Sequence, residues 1–206
     1  MFDNQTEKFI DILGSVAETM ITNNYADHIY TLSKGISWIT FQNECAAIRI
    51  DDQLCKQGKG ITLYSSFKQN LKGDKIYTVF EDSEGDEWIL TNKGISIIGK
   101  KQVDSDFPFQ YIKEADGIIY LVSQSDKLAS YNFKTRQFKF IEIPYHVSMI
   151  NEVKKFDSNT LLLATDNGLI IYKIKEKEFQ LIDIRTSTQP SNVVQSVYQD
   201  LSLIHI

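Results

Sequence analysis

The feature that most constrains this chain is a short pattern that recurs along it. Residues 76–98 read Ile76-Tyr-Thr-Val-Phe80-Glu-Asp82-Ser-Glu-Gly85-Asp-Glu-Trp88-Ile-Leu-Thr91-Asn-Lys-Gly94-Ile-Ser-Ile-Ile98. β-Branched and aromatic runs alternate with two polar clusters that contain glycine, which predicts three short strands joined by two tight turns. A three-strand meander cannot cover both of its faces by itself, so it requires neighbours of the same kind. Residues 157–172 repeat its second half, with Thr165 and Gly168 standing where Thr91 and Gly94 stand. Residues 194–200 repeat 76–82, so that Asp200 answers Asp82. Residues 29–39 resemble 88–98, with Gly35 set against Gly94. A weaker copy spans 116–131, where Asp116-Gly117 makes the first turn, Tyr120 replaces the tryptophan and the second turn has no glycine.

A fourth strand recurs as well. Tyr131 and Phe138, Tyr172 and Phe179, and Phe2 and Phe9 are pairs of aromatics seven positions apart around a polar turn. From Gly35 to Gly168 is three steps, a period of roughly 44 residues, and four strands at that period make one blade of a β-propeller. The expected fold is therefore all-β, a β-propeller of four-stranded antiparallel blades, in an incomplete open arc of about four. The blades fall at 13–65 (with an irregular insertion around 43–59), 66–110, 111–144 and 145–185. Residues 1–12 read as the last strand of a preceding blade and 186–206 as the start of a truncated one. Residues 201–206, Leu-Ser-Leu-Ile-His-Ile, abandon the repeat and resemble translated adapter read-through. The expectation is a piece of a larger propeller, with residues 2–12 and 193–200 as lone strands and 201–206 unpaired.

A formal charge of −5 and a pI near 5.2 argue against a non-specific nucleic-acid binder, which needs a basic face. No apolar run approaches the length of a membrane span, and no signal-peptide pattern opens the sequence.

Candidate chemistry is sparse. Counted from Asp82, the sixth and twelfth positions are Glu87 and Lys93, where a calcium loop of the EF-hand type needs Gly and Glu. That stretch therefore reads as a turn with solvated carboxylates. His28, His146 and His205 have no second ligand at metal spacing, and no nucleophile-elbow, phosphate-loop or zinc-protease motif is present. No catalytic, cofactor or metal residue is assigned. Cys45 and Cys55 read as two unpaired thiols, with a disulfide or half of a metal site as the alternatives, a choice that geometry decides. Asn4-Gln-Thr6 fits a glycosylation sequon, and Trp38 and Trp88 suit blade packing better than a sugar platform.

Residues 80–95, with Asp82, Gly85, Trp88-Ile, Thr91 and Gly94-Ile at their spacings, resemble the two-component regulator propeller repeat. Thr165 and Gly168 keep the second turn, with Leu162 in the tryptophan position, and Gly35, Gly117 and Asp200 keep parts of the pattern. The resemblance implies the periplasmic sensor region of a Bacteroides-type hybrid histidine kinase. It implies an oligosaccharide ligand derived from glycan breakdown, further blades of the same parent chain, and a homodimer in the parent. It implies no cofactor, no enzymatic activity in this segment, and a kinase and membrane span outside it. A propeller lyase or hydrolase and a protein–protein scaffold are the alternatives; the Trp-Asp dipeptide of WD-repeat scaffolds is absent.

Overall fold

The computed structural model describes residues 25–41, 46–57, 59–65, 71, 73–100, 108–132, 135, 137–188 and 190–198, and the backbone alone at 2–3, 8–9, 199 and 204–205. Strands β1 (Phe2–Asp3) and β2 (Lys8–Phe9) form a small ladder with Phe2 opposite Phe9. The first sheet has β3 (Ala26–Thr31), β4 (Ile36–Phe41), β5 (Ala46–Asp51) and β6 (Ile61–Ser65), with a one-turn helix, α1 (Asp52–Cys55), after β5. The second has β7 (Ile76–Glu81), β8 (Glu87–Thr91) and β9 (Gly94–Ile97). The third has β10 (Phe109–Ala115), β11 (Ile118–Ser123), β12 (Leu128–Asn132) and β13 (Gln137–Ile141). The fourth has β14 (Ile150–Asp157), β15 (Thr160–Thr165), β16 (Gly168–Lys173) and β17 (Glu178–Ile182). Last come β18 (Tyr198–Gln199) and β19 (Ile204–His205), paired with each other. Every sheet is an antiparallel meander, and α1 is the only α-helix among the described residues.

The seven-position aromatic spacing has a simple basis. It places Tyr131 directly opposite Phe138 and Tyr172 opposite Phe179 across a hairpin, with ring centroids 5.3 and 4.4 Å apart. The fourth strands that carry these phenylalanines have no fully buried residue, as befits a sheet edge. Second strands are the reverse: all five residues of β8 and all six of β15 are buried. A strand covered on both faces reads as a continuous apolar run, which is why Trp88-Ile-Leu and Leu161-Leu-Leu-Ala show no alternation.

The sheets pack face to face in sequence order. Trp38 and Ala47 meet Ile76, Val79 and Ile89; Trp88 and Leu90 meet Phe109, Ile112 and Ile119; Tyr120 and Val122 meet Val153, Leu161 and Leu163. Trp38, Trp88, Tyr120 and Leu162 therefore hold one position in four successive sheets, each facing the sheet that follows, and Leu162 faces Val194 and Val197. All four are buried, and each tryptophan contributes about 2–3 kcal/mol of apolar burial. First strands supply the backward-facing residue: Val79, Ile112, Val153 and Val197 each pack on the preceding sheet. Ile29, the same position in β3, is 68% exposed.

Four expectations are corrected. Gly35 belongs to the first turn, between β3 and β4, three residues before Trp38, so its counterpart is Gly85 rather than Gly94. The stretch read as an insertion contains β5, the third strand of its sheet. Phe109 opens the third sheet, so a strand crosses the division set at residue 110. At the two ends the strands pair locally: β1 with β2, and β18 with part of the segment expected to be unpaired. Asp200, Cys45 and residues 4–6 lie outside the described residues.

Gly94 and Gly168 sit at φ +149° and +105°, as the turn chemistry predicts. A Cβ on Gly168 would lie 2.5 Å from the Ile182 carbonyl oxygen, whereas one on Gly117 (φ +68°) would meet nothing within 4 Å. Gly117→Ala should cost about 1–2 kcal/mol of backbone strain, and Gly168→Ala about 1–3 kcal/mol more from the clash. Denaturant unfolding of both variants checks the order; equal losses would contradict it.

Candidate functional site

The repeat residues form a set of turn locks. Asp82 is buried, correcting its reading as a solvated carboxylate. Its Oδ1 accepts the N–H groups of Glu84 (3.0 Å) and Asp86 (2.9 Å), and its Oδ2 accepts the Trp88 indole N–H at 2.8 Å. One carboxylate thus closes the first turn and fixes the ring that faces the next sheet, where Trp88 meets Tyr131 edge-on. Gly85, at φ +84°, lets its N–H reach the Asp82 carbonyl oxygen. In the second turn the Thr91 hydroxyl donates to the Gly94 carbonyl at 3.0 Å and accepts the Lys93 N–H at 3.2 Å. Thr165 repeats both bonds with Gly168 and Asn167, at 2.7 and 3.1 Å. Asp116 and Gly117, both at positive φ, form the tight hairpin of the third sheet.

Polar bonds also join neighbouring sheets. Trp38 donates its indole N–H to Glu87 Oε2 at 2.6 Å, and Arg49 grips the same carboxylate with Nε and Nη2. Glu87 is therefore a buried anion of the second sheet neutralised by the first. Sequence reasoning missed this pair; the only signal is a lone arginine in the apolar run Ala46-Ala-Ile-Arg49-Ile50. A second junction repeats. Ser33 gives its N–H and hydroxyl to Glu81 (both 2.6 Å), and Ser83 gives the same pair to Glu114 (2.7 and 2.5 Å). Burial pushes the Glu81 carboxyl up, but the two Ser33 bonds outweigh it and hold it below its ordinary value. At the junction of the third and fourth sheets this clamp gives way to an ion pair, Lys175 to Asp116 at 3.7 Å.

Beside that ion pair the two sheets part. A cavity of about 410 Å³ opens there, lined by Tyr120, Lys139, Phe140, Tyr172, Lys175 and Lys177 among others. A second, of about 620 Å³, adjoins it and shares Phe140 and Ile141, with Glu142, Tyr145 and His146 also in its lining. Phe140 stands half-exposed where the two meet. A third cavity, of about 320 Å³, lies at the other end of the sheets around Gln110, Gln124 and Met149. Gln110 is the bulged residue of β10, and β3, β7 and β14 each break register at the same place, at Asp27, Tyr77 and Asn151. His28 is exposed, 3.3 Å from Asp27, and Cys55 is a free thiol. Among the described residues no three His, Cys, Asp or Glu side chains gather as a metal site would require, and no helix is long and apolar enough to cross a membrane.

These meander sheets, stacked face to face with the same position always turned to the next, define a β-propeller. The structure matches the extracellular domain of a hybrid two-component system from B. thetaiotaomicron with a TM-score of 0.65 at 18% identity, over 97% of this chain and 26% of that one. It matches the extracellular domain of a one-component system from the same organism with a TM-score of 0.64 at 18% identity, over 87% of this chain and 26% of that one. Virginiamycin B lyase from Staphylococcus aureus matches with a TM-score of 0.61 at 18% identity, over 77% of this chain and 55% of the lyase. This chain thus spans about a quarter of the two extracellular domains. No protein-family model matches the sequence, and no curated protein is similar to it.

Removing the Glu87 carboxylate would strand Arg49 and the Trp38 indole in a buried setting. Glu87→Ala should cost about 3–5 kcal/mol, while Glu84→Ala, on the exposed side of the same turn, should stay within about 0.5 kcal/mol. Denaturant midpoints of the two variants test the contrast; a mild Glu87→Ala would show that the pair carries little.

Proposed function

We propose that this chain is part of the extracytoplasmic ligand-sensing propeller of a hybrid two-component sensor. In this reading it recognises a glycan-derived oligosaccharide in the periplasm and biases a histidine kinase outside this chain. The observation that carries the reading is the match to the extracellular domain of a hybrid two-component system over 97% of the chain. The cavities between the third and fourth sheets add to it, because aromatic rings beside polar side chains suit a sugar, which has both apolar faces and hydroxyls. Further blades and a homodimer of the parent would complete the sensor.

A lyase reading rests on the match to virginiamycin B lyase. The two readings separate in one experiment. The purified protein is titrated calorimetrically with a panel of plant, host and microbial oligosaccharides, and is incubated in parallel with virginiamycin B. Saccharide binding with no turnover is the expected result. Cleavage of virginiamycin B with no saccharide bound would replace sensing with catalysis.

A further inference from the structure

The cavity between the third and fourth sheets has a chemical character of its own. The chain as a whole is acidic, at −5, yet this cavity gathers three lysines, Lys139, Lys175 and Lys177, and a single carboxylate, Asp116. Asp116 is engaged by Lys175. Lys139 and Lys177 have no ion-pair partner among the described residues, so two positive charges face the opening uncompensated. They come from separate hairpins, Lys139 from β13 and Lys177 from the turn after β16, and the packing of one sheet on the next brings them to one cleft.

The floor is equally specific. Tyr120 and Tyr172 are each only 3% exposed, with ring centroids 6.2 Å apart and nearly perpendicular. Both line the cavity, and neither hydroxyl makes a hydrogen bond to a described residue. Among the described residues Ser96 Oγ is the one buried side-chain polar atom left without a partner, so the two tyrosine oxygens are accessible donors at the floor of the cleft. Tyr120 holds the position that Trp38 and Trp88 hold, and those two indoles each have a carboxylate acceptor. Burial pushes the Tyr120 phenol up to about 12, with further contributions from Tyr172 and Asp116, so it remains a donor through the whole physiological range. Half-exposed Phe140 forms one wall and offers an apolar ring at the mouth.

We infer that this cleft is a binding site for an acidic saccharide, a sugar unit bearing a carboxylate such as a uronate. Lys139 and Lys177 would hold the carboxylate, the Tyr120 and Tyr172 hydroxyls would donate to it or to ring hydroxyls, and Phe140 would pack on a sugar face. A volume of about 410 Å³ accommodates one to two sugar rings, and the adjoining cavity beyond Phe140 continues the groove for a longer chain. The inference rests on the sensing proposal and narrows it to one ligand class and one place.

The test is calorimetric titration of the protein with digalacturonate, with the neutral disaccharide cellobiose and with inorganic sulfate. Digalacturonate should bind at least about tenfold more tightly than either. Tyr120→Phe, Tyr172→Phe and the double variant Lys139→Gln, Lys177→Gln should each weaken it about tenfold. Circular dichroism should show the three variants folded, since each removes only a hydroxyl or an exposed charge. Equal affinity for cellobiose, or digalacturonate binding that ignores all three variants, would overturn the acidic site while leaving sugar sensing in place. Sulfate binding as tightly as digalacturonate would reduce the cleft to an anion site. Failure of both sugars to bind would overturn the cleft together with the sensing proposal for these ligands.

Discussion

A narrow antiparallel sheet with two apolar faces cannot stay in water, and everything else in this structure follows from how that is solved. The second, third and fourth sheets each turn one face to the sheet before, and the first, second and third each turn one face to the sheet after. The second strand lies at the centre of this arrangement and is buried throughout, so its sequence is apolar without alternation. A single position on that strand, occupied in turn by Trp38, Trp88, Tyr120 and Leu162, always reaches forward. Stability is therefore shared between neighbours, as in other repeat architectures, and each interface carries its own version of the contact.

The polar residues make that packing specific. An indole buried between two apolar sheets still carries an N–H, and each tryptophan here has an acceptor. Trp88 uses Asp82 from its own turn, and Trp38 uses Glu87 from the next sheet. The same logic explains the clamps at the sheet ends, where Ser33 and Ser83 each hand two donors to one glutamate of the following sheet. Where that clamp is replaced by Lys175 and Asp116, the cleft with its two unpartnered tyrosine hydroxyls appears. The junction that departs from the repeat's own solution is the one that offers chemistry to a ligand.

Much of the architecture was legible in the sequence because the turns are local. Thr91 and Gly94, and Thr165 and Gly168, form the same two hydrogen bonds within four residues, so their spacing survives divergence. The paired aromatics were legible for the same reason, since a hairpin of fixed length fixes their register. Gly35 resembles the second-turn glycine because Ile36-Ser37 follows it as Ile95-Ser96 follows Gly94, whereas Asp86 follows Gly85. The deciding signal was its distance of three residues from Trp38, identical to that of Gly85 from Trp88. The Glu87–Arg49 pair and the lysine-lined cleft were not legible, because their members lie on different sheets and only three-dimensional packing brings them together.

The central claim is that burial between successive sheets, centred on the second strands, holds this arc together. Native-state hydrogen exchange measured residue by residue tests it most directly. The account predicts the slowest exchange in β8, β11 and β15, intermediate rates in the fourth strands β13 and β17, and faster exchange in β3, whose Ile29 has no covering sheet among the described residues. Protection that is uniform across all strands, or greatest in the fourth strands, would contradict it.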